Sequence, residues 1–376
     1  MSEARVAFDL TQGMIGRIGT SVYIRELRRA LQRRLGDRLV PIASRWARPV
    51  EGASRTAGQR AATLGRDLWW HQVGVVIAAR RRGCRLLHLP GNVGPVGPHS
   101  LPLVATIHDI MPLRFPELFR PWFRRYAALV MPRFARRARA VIAVSQATKD
   151  EIVHRLGVAP ERITVIPHGV DAACGPRPPD DPTLPALRRR YDLPERYVLA
   201  VGSVEPRKNL PRVLEAVRLL RDGSPAGARD VAFVHCGPEG FRPADVARVV
   251  HSLGLNGTAR FLGYVPADDL RSLYAGARAL VFPSLWEGFG LPVLEAMACG
   301  CPVITSNVSS LPEVAGGAAV LVDPQSVEAI AAALARVWVD DRHRDDLVRR
   351  GLAHAARFTW EAAARATAAV YETALA

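Results

Sequence analysis

The chain has 376 residues, 49% hydrophobic and 23% charged, and carries a net charge of +16. This is globular composition without a low-complexity tract, long enough for two ordinary domains or one large α/β domain. No run approaches the roughly 18 apolar residues of a spanning helix, and the opening MSEARVAFDLTQG lacks the basic-then-apolar layout of a signal peptide.

From Val6 the pattern is a short apolar strand, VAFDL, a glycine-bearing loop, and a helix from about Thr20 to Leu35 with Val22, Tyr23, Leu27, Ala30, Leu31 and Leu35 near one stripe. A helix over 66–82 leads into strand RLLHLP, and strand LVATIHD leads to a helix near 118–138. Strand AVIAVS precedes a helix over 146–156, and RITVIPHGV closes the half near residue 171. Between 172 and 195 prolines and a charge cluster break both periodicities, which reads as a linker. The rhythm then restarts with YVLAVGS, VAFVHCG, ARFLGYV, ALVFPS, CPVITSN and AVLVDP, each alternating with a helix. The expected fold class is therefore α/β, with two doubly wound parallel sheets facing a central cleft. The expected boundaries are 1–175, a linker over 176–195, a second domain over 196–357, and a C-terminal helix over 358–376 that crosses back to the first domain.

Charge and cysteine add to this. Residues 1–175 carry 28 Lys and Arg against 12 Asp and Glu, whereas residues 176–376 carry 23 of each. Codon preference explains why Lys149 and Lys208 are the only lysines. It does not explain why the excess is confined to one half, which leaves a basic face for an acidic partner open. The cysteines, Cys84, Cys174, Cys236, Cys299 and Cys301, form no CxxC pair, so neither a disulfide framework nor a zinc site is expected and a reducing cytosol is.

Parallel sheets present function at the carboxyl ends of strands. YVLAVGS runs into Gly202-Ser203-Val204-Glu205-Pro206-Arg207-Lys208, two adjacent cations where a helix begins, suited to a diphosphate. One of two lysines in an arginine-rich chain falls here, and a point-charge ammonium is a common phosphate ligand. ALVFPS runs into Glu287-Gly288-Phe289-Gly290-Leu291, where the glycines admit a close ligand. Glu295 is expected in the first turn of the following helix, over 292–299. Two carboxylates so placed can accept hydrogen bonds from several hydroxyls, as sugar recognition requires; the plain alternative is a capping Glu and an incidental loop Glu.

EGFGLPVLEA, with its E-x7-E spacing, together with VGSVEPRKNL, GYVPADDL, the N-terminal glycine loop, His108-Asp109, VSQATKDEI and VIPHGVD, resembles the retaining GT-B glycosyltransferases of family GT4 over essentially the whole chain. The resemblance implies that Lys208 and Arg207 hold a donor diphosphate after Gly202 and Ser203, and that Glu295 accepts ribose hydroxyls. It implies that Glu287 binds the donor sugar with the amides of Phe289, Gly290 and Leu291, and that the base lies near Tyr264 and Val265. From the first domain, Gly19 approaches the phosphates, with Gly16 or Arg17 as the alternative, and His108 contacts the donor sugar. Many relatives carry an arginine where this chain has Ser203, and the N-terminal loop reads QGMIGRIGTSVY rather than GGIGRY.

The implied activity is hexosyl transfer with retention from a nucleotide-diphosphate sugar as co-substrate. The EPRKN and WEGFGLP wording is similar to mannosyl- and rhamnosyl-type enzymes of polysaccharide assembly, which makes GDP-mannose the first donor. No Asp-x-Asp pair occurs, so no metal and no other cofactor is expected. The competing classes are an epimerase or phosphorylase of the same architecture, a non-catalytic nucleotide-sugar sensor, and a glycosidase. A glycosidase needs its carboxylates about 5 to 10 Å apart across one bond. A phosphorylase lacks a suitable cofactor lysine, and no intact G-x-G-x-x-G follows VAFDL for a dinucleotide. The acceptor, a glycan or a lipid-linked glycan, is expected on the first domain. There PELFRPWFRRYAALVMPRFARRARA interleaves Trp122, Phe123, Tyr126 and Phe134 with arginines, suiting an anionic membrane face as much as a solvated helix. No nucleic-acid motif accompanies the charge, and the expected location is cytoplasmic, peripheral on the inner face of a membrane.

Overall fold

The computed structural model describes residues 4–15, 19–47, 65–178, 181–223, 230–240 and 243–376. They divide into two compact units: unit 1 comprises residues 1–169 and 359–376, unit 2 residues 170–358.

Unit 1 holds six parallel strands, β1 (Val6–Asp9), β2 (Leu39–Ile42), β3 (Leu86–Leu89), β4 (Leu103–Ile107), β5 (Ala140–Ala143) and β6 (Ile163–Val165), in the order β2-β1-β3-β4-β5-β6. Alternate side chains enter two different cores, because successive residues of a strand point to opposite faces. Ala7, Leu87, Ala105 and Val141 pack with Val75, Phe134 and Ile152 on one face. Val6, Phe8, Leu86, Val104 and Ile142 pack on the other with Tyr23, Leu27 and Leu31 of helix Gly19–Leu35 and with Trp360 and Tyr371 of helix Trp360–Leu375. The last helix is capped by Thr359, whose hydroxyl accepts from the Ala362 amide at 3.1 Å.

Unit 2 repeats the plan with β7 (Tyr197–Val201), β8 (Ala232–Cys236), β9 (Ala259–Phe261), β10 (Ala279–Phe282), β11 (Val303–Ser306) and β12 (Val320–Val322), ordered β12-β11-β10-β7-β8-β9. Val198, Ala200, Phe233, Val281 and Ile304 bury against helices Leu210–Gly223 and Val327–Val339. In each sheet the order reverses once, between β1 and β3 and between β7 and β10. These are the switch points where doubly wound sheets open a crevice.

Several elements differ from the sequence reading. Strand β2 was not foreseen: Pro41 disguises it, and the fold tolerates that proline because β2 is an edge strand. Helix Thr183–Arg190 forms inside the stretch read as linker, and its end is tied to Asp269 by Arg190 and by the Tyr191 hydroxyl at 2.6 Å. The helix expected over 66–82 contains a π turn at Trp70–Gly74. Phe134 of the basic helix Pro121–Arg137 is fully buried, whereas Trp122 is exposed. No helix among the described residues is long and apolar enough to cross a membrane.

The carboxyl ends of β7, β8 and β9 are laced together by backbone bonds, Gly202 N–H to the Cys236 carbonyl at 2.9 Å and Gly237 N–H to the Gly263 carbonyl at 2.8 Å. Gly237 has φ 149°, and a Cβ there would overlap the Gly202 carbonyl oxygen. Backbone cannot rotate away as a flexible side chain can. Gly237→Ala is therefore expected to cost about 2 kcal/mol or more. Gly257→Ala, at φ 79° with open space around it, is expected to cost about 1 kcal/mol. Calorimetric melting of both variants checks the ranking.

Candidate functional site

At the β7/β10 switch point two loops meet. After β7, a short 3-10 turn over Pro206–Lys208 ends at Asn209, which adopts the left-handed conformation at φ 62°. The Asn209 amide fixes that turn by donating to the carbonyls of Pro283 (3.1 Å) and Pro324 (2.6 Å). Gly202, at φ 130°, lets the Lys208 stem pass across it: a Cβ there would stand 3.0 Å from Lys208 Cε. After β10, Glu287 is buried, and its Oε1 accepts from Lys208 Nζ at 2.6 Å and Arg207 Nη1 at 2.7 Å. The Lys208 ammonium also sits 4.3 Å from the centroid of the Phe282 ring. Arg207 Nε donates to Glu205 Oε2 at 2.7 Å, and the Ser203 hydroxyl donates to Glu205 Oε1 at 2.5 Å. Burial pushes the Glu287 carboxyl up, but Lys208 and Arg207 together hold it below its ordinary value. Burial, the largest influence on Lys208, draws its ammonium down, with Glu287 opposing. Glu287 thus pairs with both cations while Glu205 pairs with Arg207, so two carboxylates face two cations where burial makes ion pairs strong and breaking one costly.

The Glu287 loop is held by residues that the sequence reading passed over. Glu287 N–H donates to Ser309 Oγ at 3.1 Å, and the Ser310 hydroxyl donates to the carbonyls of Glu287 and Phe289 at 3.0 and 2.8 Å. The signal was available in SNVSSLPE, a serine cluster at the carboxyl end of β11. Gly290, at φ 107°, turns the chain into helix Leu291–Ala298, whose first amides include that of Leu291.

Glu295 is not in the first turn of that helix, as expected, but one residue beyond it. The helix field does not govern it there. Burial raises its carboxyl above the usual range, and the Tyr274 hydroxyl, donating to Oε2 at 3.0 Å, opposes that shift. Glu295 therefore belongs to a separate cluster with Tyr274, apart from the Arg207–Lys208–Glu287 group. Tyr264 is exposed and Val265 buried, just beyond β9.

In unit 1, Gly19 is the exposed first residue of helix Gly19–Leu35; Gly16 and Arg17 lie outside the described residues. His108 follows β4 and is buried, its ring meeting the Tyr23 ring edge-on at 4.6 Å. Its Nε2 lies 3.1 Å from the Pro90 carbonyl. A carbonyl only accepts, so Nε2 carries the proton and Nδ1, without a hydrogen-bond partner among the described residues, offers a lone pair. Behind it a buried chain runs from the Tyr371 hydroxyl to His88 Nδ1 (2.6 Å), from His88 Nε2 to Thr106 Oγ1 (2.8 Å), and on to the Tyr23 hydroxyl (3.1 Å). Among the described residues no group of three His, Cys, Asp or Glu side chains could hold a metal ion.

Residues 18–173 match the sequence profile of glycosyltransferase family 4, and residues 187–354 that of the glycosyl transferases group 1. The chain is 38% identical over 267 residues to an O-antigen chain mannosyltransferase B of Escherichia coli, covering 70% of this chain and 68% of that protein. The chain belongs to the group 1 glycosyltransferases. This glycosyltransferase is also 32% identical over 260 residues to the serotype-specific mannosyltransferase WbdA of Escherichia coli, 68% of this chain but 32% of WbdA, so it spans about a third of that relative. A solved structure of Anabaena Alr3699/HepE in complex with UDP and glucose matches with a TM-score of 0.72 at 19% identity, over 98% of this chain and 100% of that one. At that identity the likeness concerns the fold, which is GT-B, α/β with two doubly wound parallel sheets, as the motifs implied.

Burial lowers His71 and His108 to about 4 and His88 to about 3, all in unit 1. Their folded values lie below the unfolded one, so the unfolded chain binds more protons and stability falls as pH drops from about 6.5 towards 4. Asp9, raised by burial to about 6, acts with the opposite sign. Burial lowers His168 and His99 as well, so the histidines of unit 1 outweigh one carboxyl, and the melting temperature is expected to fall steadily over that window when measured against pH.

Proposed function

We propose that this glycosyltransferase moves a sugar from a nucleotide-diphosphate donor, GDP-mannose in the first instance, to a glycan or lipid-linked acceptor, with retention and without a metal. The observation that carries the reading is the Glu287 carboxylate seated between Arg207 and Lys208 at the β7/β10 switch point. A diphosphate offers those cations more negative charge than one carboxylate does. Its oxygens take over Lys208 as a point charge and Arg207 as a fork, and Glu287 turns to the hydroxyls of the donor sugar. The amides of Phe289, Gly290 and Leu291 add donors beside it. Gly202 and Ser203 leave the approach open, Glu295 accepts the ribose hydroxyls, and Tyr264 and Val265 flank the base. From unit 1, Gly19 approaches the phosphates and His108 Nδ1 accepts from a sugar hydroxyl near the reacting carbon.

Fixed positive charge stabilises the departing diphosphate, the main demand of such a transfer. Retention then follows a front-face route in which a departing phosphate oxygen takes the acceptor's proton. Unit 1 is the acceptor domain and unit 2 the donor domain; the stretch 176–195, read from the sequence as a linker, falls within unit 2, and residues 359–376 return to unit 1. The mannosyltransferase relatives favour mannose, and the UDP complex of the structural neighbour favours a nucleotide donor.

A panel of GDP-, UDP- and dTDP-sugars is expected to raise the melting temperature for one nucleotide class, equally with and without EDTA. With that donor, Lys208→Ala and Glu287→Ala are expected to lower kcat by about 100-fold or more, keeping the native circular dichroism spectrum at room temperature but melting lower than wild type because each removes a partner of a buried ion pair. Wild-type turnover in either variant, or no shift with any donor, rejects the site.

The basic helix Pro121–Arg137 is the proposed membrane contact on a cytoplasmic inner face: Trp122 and Leu129 are 47% and 54% exposed among the exposed arginines Arg124, Arg125 and Arg133. Replacing those three arginines by glutamine is expected to weaken sedimentation with phosphatidylglycerol vesicles and leave neutral vesicles unaffected. Unchanged binding returns the helix to a solvated face.

A further inference from the structure

Unit 1 contains an aromatic corner, next to the core residue Trp70, whose outer rings neither the core nor the donor reading uses. Trp70 turns inward, its indole N–H donating to Asp9 Oδ1 at 3.3 Å at the carboxyl end of β1. Trp69, its neighbour, turns outward and is 47% exposed. The π turn over Trp70–Gly74 explains how both are held: its wider spacing brings Gly74 under Trp69, where a Cβ would overlap the six-membered rings of both indoles. Glycine at 74 lets the Trp69 indole rest against the helix backbone and leaves the rest of the ring in solvent.

Trp46, in the loop after β2, meets Trp69 nearly at right angles, with ring centroids 5.8 Å apart at 74°. The Arg45 and Arg66 guanidiniums lie 4.7 and 5.9 Å from the Trp46 ring centroid. The loop is built in place. Ser44 N–H donates to Thr11 Oγ1 at 3.1 Å, Thr11 Oγ1 donates to Asp9 Oδ1 at 2.5 Å, and Trp46 N–H donates to Ser44 Oγ at 3.3 Å. Asp9 in turn lines a small crevice at the β1/β3 switch point with Gln12, Leu89, Pro90 and Gly91. The corner thus stands at the strand edge where a doubly wound sheet takes its ligand.

A pyranose ring has an apolar C–H face and a rim of hydroxyls. An indole plane supplies the apolar surface, and adjacent guanidiniums supply donors for the rim. We infer that Trp46 and Trp69, with Arg45 and Arg66, form a carbohydrate subsite that takes a pyranose ring of the glycan acceptor. The inference rests on the glycosyl-transfer reading above and names the surface of unit 1 that meets the second substrate. Val73 and Ile77, one and two turns along from Trp69, are also exposed, which is the pattern of a membrane contact. Two indoles at right angles, each fixed through Asp9 or Gly74, match a ring-shaped ligand better than a fluid one.

The test uses the full chain as wild type, Trp69→Phe, Trp69→Leu and Arg66→Ala, with mannotriose binding by isothermal titration and the GDP-mannose melting shift measured in parallel. Trp69→Leu and Arg66→Ala are expected to weaken mannotriose by about tenfold or more, and Trp69→Phe much less, because it keeps a flat face. The donor shift is expected to be the same in all four. Equal mannotriose affinity in Trp69→Leu, or no mannotriose binding by wild type, overturns the subsite while a donor shift keeps the donor reading. A variant that loses only phosphatidylglycerol vesicle binding overturns it in favour of a membrane contact. Weakened mannotriose without any donor shift upholds the subsite and counts against the donor reading alone.

Discussion

Burying a parallel sheet on both faces is the constraint on which this molecule depends. Strands such as β1, β3, β4 and β8 have no residue that can face water along their length, so their side chains are apolar or internally satisfied. Polar chemistry is displaced to the strand ends. At the amino ends the chain only turns. At the carboxyl ends helix N-termini, glycine-bent loops and orphan amides collect, and every feature of interest here lies at that edge. His88 shows what it takes to violate the rule: a histidine within β3 needs a tyrosine from the last helix and a threonine from β4 to be accommodated, and it stays neutral.

The same economy of partners governs the carboxyl edge of unit 2. Two largely buried cations need carboxylate partners, and Glu287 and Glu205 supply them. With Arg207 and Lys208 present and Glu287 absent, like charges would face each other out of water. With Glu287 alone, the carboxylate would protonate. Arg207 has a second carboxylate, Glu205, which also ties Ser203 into the loop. Glu205 and Glu287 hold Arg207 from two sides.

Much of this was legible in the residues. The alternation of apolar strands with amphipathic helices gave twelve parallel strands save one, and the exception, β2, was hidden by Pro41. EPRKN and EGFGLPVLEA pointed to the two loops that meet at Glu287, because charge and glycine at a strand's end have few structural uses. What escaped was support at a distance in sequence. Ser309 and Ser310 brace the Glu287 loop from the next strand, Asn209 pins the cationic turn through Pro283 and Pro324, and helix Thr183–Arg190 rests on Asp269 in a stretch whose prolines suggest a linker. Each depends on who is adjacent in the sheet order, which periodicity does not encode.

Local physics, then, settled most of the elements, the parallel class of the sheets and the two loops that concentrate charge, since those follow from apolar spacing and from what glycine, proline and paired cations do to a backbone. Tertiary structure decided the rest. It moved Glu295 out of the helix field and into a buried pairing with Tyr274, and joined Glu287 to cations some eighty residues away. It also turned Trp70 inward and Trp69 outward through a single π turn. Adjacent residues of like type received opposite environments there because packing, not composition, determines which face of a helix meets the sheet.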